Sequence, residues 1–172
     1  MNLHQTEILK LLHDLDDAIT TPVELILCGG AAGILLHSLS RATLDIDVVY
    51  SSHNLVGFKS QVEAIATRNG LGPEWINSRA AQFSYMLPDD FRTRIKPVES
   101  EFRFLKVSTL SRGDLLFMKL SALRPEDVKD AESMSLDSTD LPALKSGLDK
   151  LRMTDPNRYY LVRSFLLDRK LI

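Results

Sequence analysis

The chain has a single cysteine, Cys28, so no intramolecular disulfide can form and a reducing compartment is expected. Cys28 closes an apolar run, where a cysteine serves as one more small apolar residue. Basic charge is not in excess either. The 21 Lys and Arg are outnumbered by 23 Asp and Glu, giving a formal net charge of −2, and this argues against a protein that coats nucleic acid without regard to sequence. No apolar run approaches the ~20 residues of a membrane span. Residues 1–20 carry Asp14, Asp16 and Asp17 in place of the apolar segment of a secretion signal. There is one tryptophan, and no repeat or low-complexity tract. A soluble, cytoplasmic protein with no membrane partner is the expectation. With 44% hydrophobic residues among 172, the chain can bury one core, as a single domain over residues 1–172.

What is there centres on residues 25–50, LILCGGAAGILLHSLSRATLDIDVVY. Val23 to Cys28 is an almost unbroken apolar run, the pattern of a strand buried on both faces, and it ends on Gly29-Gly30. Ala31 to Leu39 is apolar nearly all round, as a deeply packed helix would be. Ser40 to Thr43 breaks that pattern, and Leu44 to Tyr50 is strand-like again. On a strand, Asp45 and Asp47 at i and i+2 point to one face, roughly 6.5 Å apart at the usual rise. Two like charges so placed repel unless a cation lies between them. Mg²⁺ suits, because it takes a few carboxylates together with substrate phosphates. Glycines without Cβ let a phosphate approach the backbone, and the following helix offers unpaired N–H groups and the positive end of its dipole. Phosphate cradle and carboxylates joined by one helix make a site for a nucleoside triphosphate.

The remaining elements follow from periodicity and capping. Residues 3–19 predict an amphipathic helix with Ile8, Leu11, Leu12, Leu15 and Ile19 as its stripe, which leaves the Asp14, Asp16, Asp17 cluster as a solvated face. His4 and His13 have no ligand-spaced partner and read as surface residues. A helix over about 55–69 closes at Gly70, and Trp75 reads as core packing. Residues 82–87 are ambiguous between strand and helix. Residues 101–107, EFRFLKV, predict the third strand, and residues 112–123 an amphipathic helix carrying Lys119. Two further helices follow, one with Pro142 in its first turn and one after Asp155-Pro156. The fold class is then α+β, a small mixed sheet with helices packed on it over about 20–110 and a helical C-terminal part over about 111–172.

The glycine pair followed by an acidic-apolar-acidic strand resembles the signature of the polymerase-beta-like nucleotidyltransferase superfamily. The fuller string, Gly29-Gly30 and then Arg41-x-Thr43-x-Asp45-Ile46-Asp47, resembles the small bacterial DUF6036-type proteins, relatives of the AbiEii toxins. Trp75-x-Asn77 after a Gly-Pro turn, and the Arg124, Asp127, Asp130 string after the lysine helix, resemble the same group. The resemblance implies a minimal nucleotidyltransferase fold and transfer of a nucleotide from an NTP, with Mg²⁺ or Mn²⁺ as cofactor. On that basis Gly29, Gly30, Arg41 and Thr43 hold the nucleotide and Asp45 and Asp47 ligate metal. Lys119 joins both the catalytic and the phosphate-binding set, and Asp127, Asp130 and Glu101 are additional candidates. Plainer readings stand beside these. Lys119 would snorkel from its helix, Arg41 would tie across its turn, and Asp127 and Asp130, which share a helix face, would cap or brace the tail.

Superfamily members usually carry a third carboxylate on the strand matching FRFLKV, and here only Glu101 stands at its start. That departure keeps two functions in view. One is an enzyme that modifies an acceptor hydroxyl on tRNA, protein or a small molecule in a toxin–antitoxin or phage-defence setting. For RNA, the phosphates would lie on Arg92, Arg94, Lys96, Arg103 and Lys106. The other is a catalytically degenerate module that binds nucleotide, as an antitoxin or as the partner of a cognate toxin. A dinucleotide-binding fold fits less well, because the third glycine of that fingerprint is missing.

Overall fold

The computed structural model describes residues 2–37, 39–170 and 172. They form two compact units, Met1–Ser84 with Ile95–Leu110, and Tyr85–Arg94 with Ser111–Ile172. The sheet belongs to the first. Its order is β3-β2-β1-β5-β4, with β1 (Val23–Cys28) central, β2 (Ile46–Ser51) antiparallel to it and β5 (Leu105–Thr109) parallel to it. The outer strands β3 (Ile76–Asn77) and β4 (Lys96–Pro97) are two residues each. This is the mixed sheet of an α+β fold. The VELILC run takes the centre because its apolar side chains are covered on both faces: Leu25, Ile26, Leu27 and Cys28 are all buried.

Helices α1 (Gln5–Ala18), α2 (Gly29–Leu36) and α3 (Lys59–Asn69) complete the first unit. The α1 stripe is buried as its spacing predicts. A 3-10 turn over Leu55–Phe58 precedes α3, and Gly70 closes it with φ 64°. Leu3, expected inside α1, instead forms a two-bond bridge with Thr43. Trp75 is core, as expected, and its indole N–H donates to the Val62 carbonyl at 2.9 Å.

Three expectations fail here for one tertiary reason. Asp16 is not solvated but buried, and its carboxylate accepts three consecutive backbone N–H groups, from Arg103, Phe104 and Leu105, at 2.7–2.8 Å. Those bonds occupy donors that a longer strand would use, so β5 begins at Leu105 rather than at Glu101. His13 is likewise not a plain surface residue, since its Nε2 lies 2.8 Å from Ser100 Oγ and its ring packs 4.7 Å from Phe102. Burial pushes the Asp16 carboxyl up, but the three N–H donors outweigh it and hold it below the ordinary value of 3.8. A depressed folded value means a contribution that is complete above the unfolded value and lost as pH falls through the folded one. Asp16→Asn is therefore expected to destabilise by about 1–3 kcal/mol at neutral pH. The difference from wild type should shrink below pH 4, which urea titrations at pH 7 and pH 3 would measure.

The second unit is helical: α4 (Arg112–Ala122), α5 (Pro125–Ser133), α6 (Leu141–Thr154) and α7 (Pro156–Asp168). Of residues 82–87, ambiguous in sequence, all but Leu87 fall in a 3-10 stretch over Arg79–Met86. Ser111 caps α4 by accepting the Asp114 N–H at 3.2 Å, and Asp114, fully buried, takes a two-point bond from Arg94 at 3.1 and 2.9 Å. Gly147 of α6 lies against the Phe117 ring of α4, where an added Cβ would sit 2.6 Å from it. In α7 the buried positions are Val162 and Leu166, while Tyr160 is exposed. Among the described residues no helix is long and apolar enough to cross a membrane.

Candidate active site

The site lies where β1 ends and β2 begins, with Cys28 paired to Asp47. Gly29 has φ +62°, and a side chain there would overlap Asp47 Oδ2, its Cβ lying 3.2 Å from the Asp47 Cβ. Only glycine admits both that conformation and that approach. The Asp47 carboxylate therefore rests directly on the backbone that opens α2. Gly30 is needed for closeness of another kind: an added Cβ would stand 2.7 Å from Thr43 Oγ1 and 3.5 Å from Arg41 Nη2. Thr43 is fixed by its bridge to Leu3, and its hydroxyl donates to the Asp45 carbonyl at 3.3 Å. Arg41 is exposed, with Nη1 on the Ala42 carbonyl at 3.0 Å, the local tie its plainer reading anticipated. The glycine pair, Arg41, Thr43, Asp45 and Asp47 thus meet in one place although 11 residues, 30–40, separate the first glycine from Arg41.

Asp45 departs from expectation in one respect. The strand starts at Ile46, so Asp45 precedes β2 and only Asp47 lies within it. Its position is set instead by β3, which runs parallel to β2 with Ile46 beside Ile76 and Asp47 beside Asn77. Asp45 Oδ2 accepts from Asn77 Nδ2 and from Arg79 Nη2, both at 3.2 Å. Asn77 Oδ1 in turn accepts the Arg79 backbone N–H at 3.0 Å and its Nε–H at 3.2 Å. Asn77 and Arg79 were not among the residues that sequence reasoning selected. The one available signal was the Trp75-x-Asn77 string, which the periodicity of a two-residue strand is too short to reveal.

Glu101 is exposed and four residues short of β5, whose own residues include no acid. Among the described residues no three His, Cys, Asp or Glu side chains cluster as a metal group. The donor set is two carboxylates. That would suit a hard ion which takes one or two carboxylates and completes its shell with phosphate oxygens and water.

Lys119 belongs to the second unit and does not snorkel. It is 3% exposed, with Nζ 2.6 Å from Asp130 and 3.4 Å from Asp127. Asp127 also takes Arg124 Nε at 2.6 Å. The shared face of Asp127 and Asp130 is thus turned to a buried ammonium, and the bracing reading of the pair has a concrete form. The expected basic patch is largely neutralised where it stands. Arg94 binds Asp114 and Asp90, Arg103 binds Asp17 at 3.2 Å, and Lys106 binds Glu24 at 3.4 Å.

The family model of a nucleotidyltransferase of unknown function, DUF6036, matches residues 5–168. The chain belongs to that family. Comparison with curated proteins and with solved structures found no match. Membership implies a nucleotide substrate for this DUF6036 chain, in a family of a kind that typically works with divalent metals.

Proposed function

We propose that this DUF6036 protein transfers a nucleoside monophosphate from an NTP to an acceptor hydroxyl with Mg²⁺ or Mn²⁺. The observation that carries the reading is the Asp47 carboxylate seated on the Gly29 backbone at the start of α2, with Thr43 and Arg41 against Gly30. In the transfer, the acceptor hydroxyl gives its proton to solvent as its oxygen bonds to the α-phosphorus, the bond from that phosphorus to the bridging oxygen breaks, and pyrophosphate leaves. A divalent ion, when bound, neutralises the charge that develops on the phosphoryl and leaving oxygens. Asp45 and Asp47 would hold it, and the α2 N-terminus would offer N–H donors to the triphosphate. Arg41 pairs with phosphate oxygens. Lys119 stays in the proposal as an ammonium fixed by Asp127 and Asp130, and Glu101 as its weakest member. The resemblance to AbiEii-like toxins supports tRNA or protein as acceptor, in a toxin–antitoxin setting.

A second reading has its own support. The polar residue that reaches Asp45 from β3 is an amide, Asn77, and no third acid joins the two aspartates among the described residues. The same fold would then bind nucleotide without transferring it, as an antitoxin or regulatory partner. Transfer of label from α-labelled NTPs with Mg²⁺ or Mn²⁺ into total RNA and protein extract separates the two. Label with wild type that falls at least ~100-fold in Asp47→Asn establishes the enzyme and shows its acceptor class. Absence of label with all four NTPs, from folded protein that still binds nucleotide, establishes the second reading.

A further inference from the structure

Two carboxylates at i and i+2, such as Asp45 and Asp47, need a counter-charge whenever no metal is bound. The chain supplies one. Arg79 Nη2 stands 3.2 Å from Asp45 Oδ2, and Nη1 stands 3.7 Å from Glu74 Oε2. We propose that Arg79 is the resident cation of the metal site: it occupies Asp45 until a divalent ion takes its place, and its released guanidinium then receives the triphosphate. This rests on the metal-dependent nucleotidyltransferase reading and adds two residues, Asn77 and Arg79, to it.

Three features of the contact point this way. The Arg79 side chain is 62% exposed and that of Asp45 29%. An ion pair so open to water is weak, and a divalent ion outcompetes it. The root of Arg79, by contrast, is fixed. Its backbone N–H and Nε–H both donate to Asn77 Oδ1, and Asn77 is buried on the strand beside Asp47. Only the tip has to leave Asp45, so the freed guanidinium remains at the site. Asn77 Nδ2 keeps its own bond to Asp45 Oδ2 and so holds the carboxylate as Arg79 departs. Finally, a planar guanidinium is the side chain best shaped for two-point binding of phosphate oxygens. Asn77 on this view is a positioning residue, and Arg79 couples metal arrival to nucleotide arrival.

The test is Mn²⁺ binding by the full chain, followed by the electron spin resonance of free Mn²⁺, with and without inorganic triphosphate. Wild type, Arg79→Gln, Arg79→Lys and Asp47→Asn are compared. With Mn²⁺ alone, Arg79→Gln is expected to bind about 2–5-fold tighter than wild type, as removal of a weak competing ion pair predicts. With triphosphate present it is expected to bind triphosphate about 5-fold weaker or worse, since a charge-assisted contact is gone. Arg79→Lys should restore most of the first effect and less of the second, because an ammonium lacks the fork. Opposite signs in the two titrations are the signature. Weaker binding in both would mean that Arg79 merely orients Asp45, and would overturn the proposal, as would wild type that fails to hold triphosphate. No change in either, with Mn²⁺ still lost in Asp47→Asn, overturns it too and leaves the metal reading standing. Mn²⁺ binding indifferent to Asp47→Asn overturns both.

Discussion

Asp130→Ala is expected to destabilise the protein by about 3–5 kcal/mol, because it leaves Lys119 buried with only the longer contact to Asp127. The size follows from where the pair sits. Both side chains are 3% exposed, so neither recovers hydration when its partner is removed. The comparison variant is Arg68→Ala, which breaks an ion pair with Asp14 in which Arg68 is 62% exposed. That change should cost about 1 kcal/mol or less, since water takes over most of the lost contact. A double variant, Lys119→Met with Asp130→Leu, removes both charges together and is expected to regain most of the loss, as buried pairs replaced by apolar residues of similar volume often do. Urea titration of the four proteins gives the measurement. If Asp130→Ala fell within 1 kcal/mol of wild type, the ammonium would have to be solvated, and the buried triad as described would be wrong.

Gly29→Ala carries the second large effect, and it acts on stability and on the site at once. Placing a Cβ at φ +62° costs about 1–2 kcal/mol for the backbone conformation. The Cβ also overlaps Asp47 Oδ2, so the carboxylate must swing away or α2 must shift. Gly70→Ala isolates the first part. Gly70 has φ +64° as well, but an added Cβ there meets nothing within 4 Å. Thermal melts should therefore show Gly29→Ala losing more than Gly70→Ala, with the excess reporting the overlap. On the proposed metal-dependent reading, in which Asp47 is a ligand, Mn²⁺ binding should survive in Gly70→Ala and fall at least ~10-fold in Gly29→Ala. Equal losses in the two variants would mean that Asp47 yields without strain, and the tight seat on the Gly29 backbone would not matter.

Which parts of the fold were legible follows from how local their causes are. The stripe of α1, the apolar centre of β1, the Gly70 cap and the Pro142 and Pro156 starts all depend on neighbours within a few residues, and each stands where the sequence puts it. The glycine pair and the two aspartates were legible as a set because one short helix joins them. What misled was long range. Asp16 reads as one of three solvated acids, yet its partners are 87 to 89 residues away. Lys119 on an amphipathic helix reads as a snorkelling lysine until α5 brings two carboxylates to it. The basic run at residues 92–106 reads as a patch until Arg94, Arg103 and Lys106 are each seen with an acid.

The sequence by itself determined the family, the helical and central strand elements, and the residues that converge at the start of α2. These rest on period, capping and motif, which are properties of short stretches. Only the tertiary structure decided that Asp45 lies outside its strand, that Asn77 and Arg79 reach it, and that Asp16 sets the start of β5. A two-residue strand has no period to read, and a buried charge finds its partner through packing rather than through spacing in the chain. The groups that tune this site are held by contacts of that second kind.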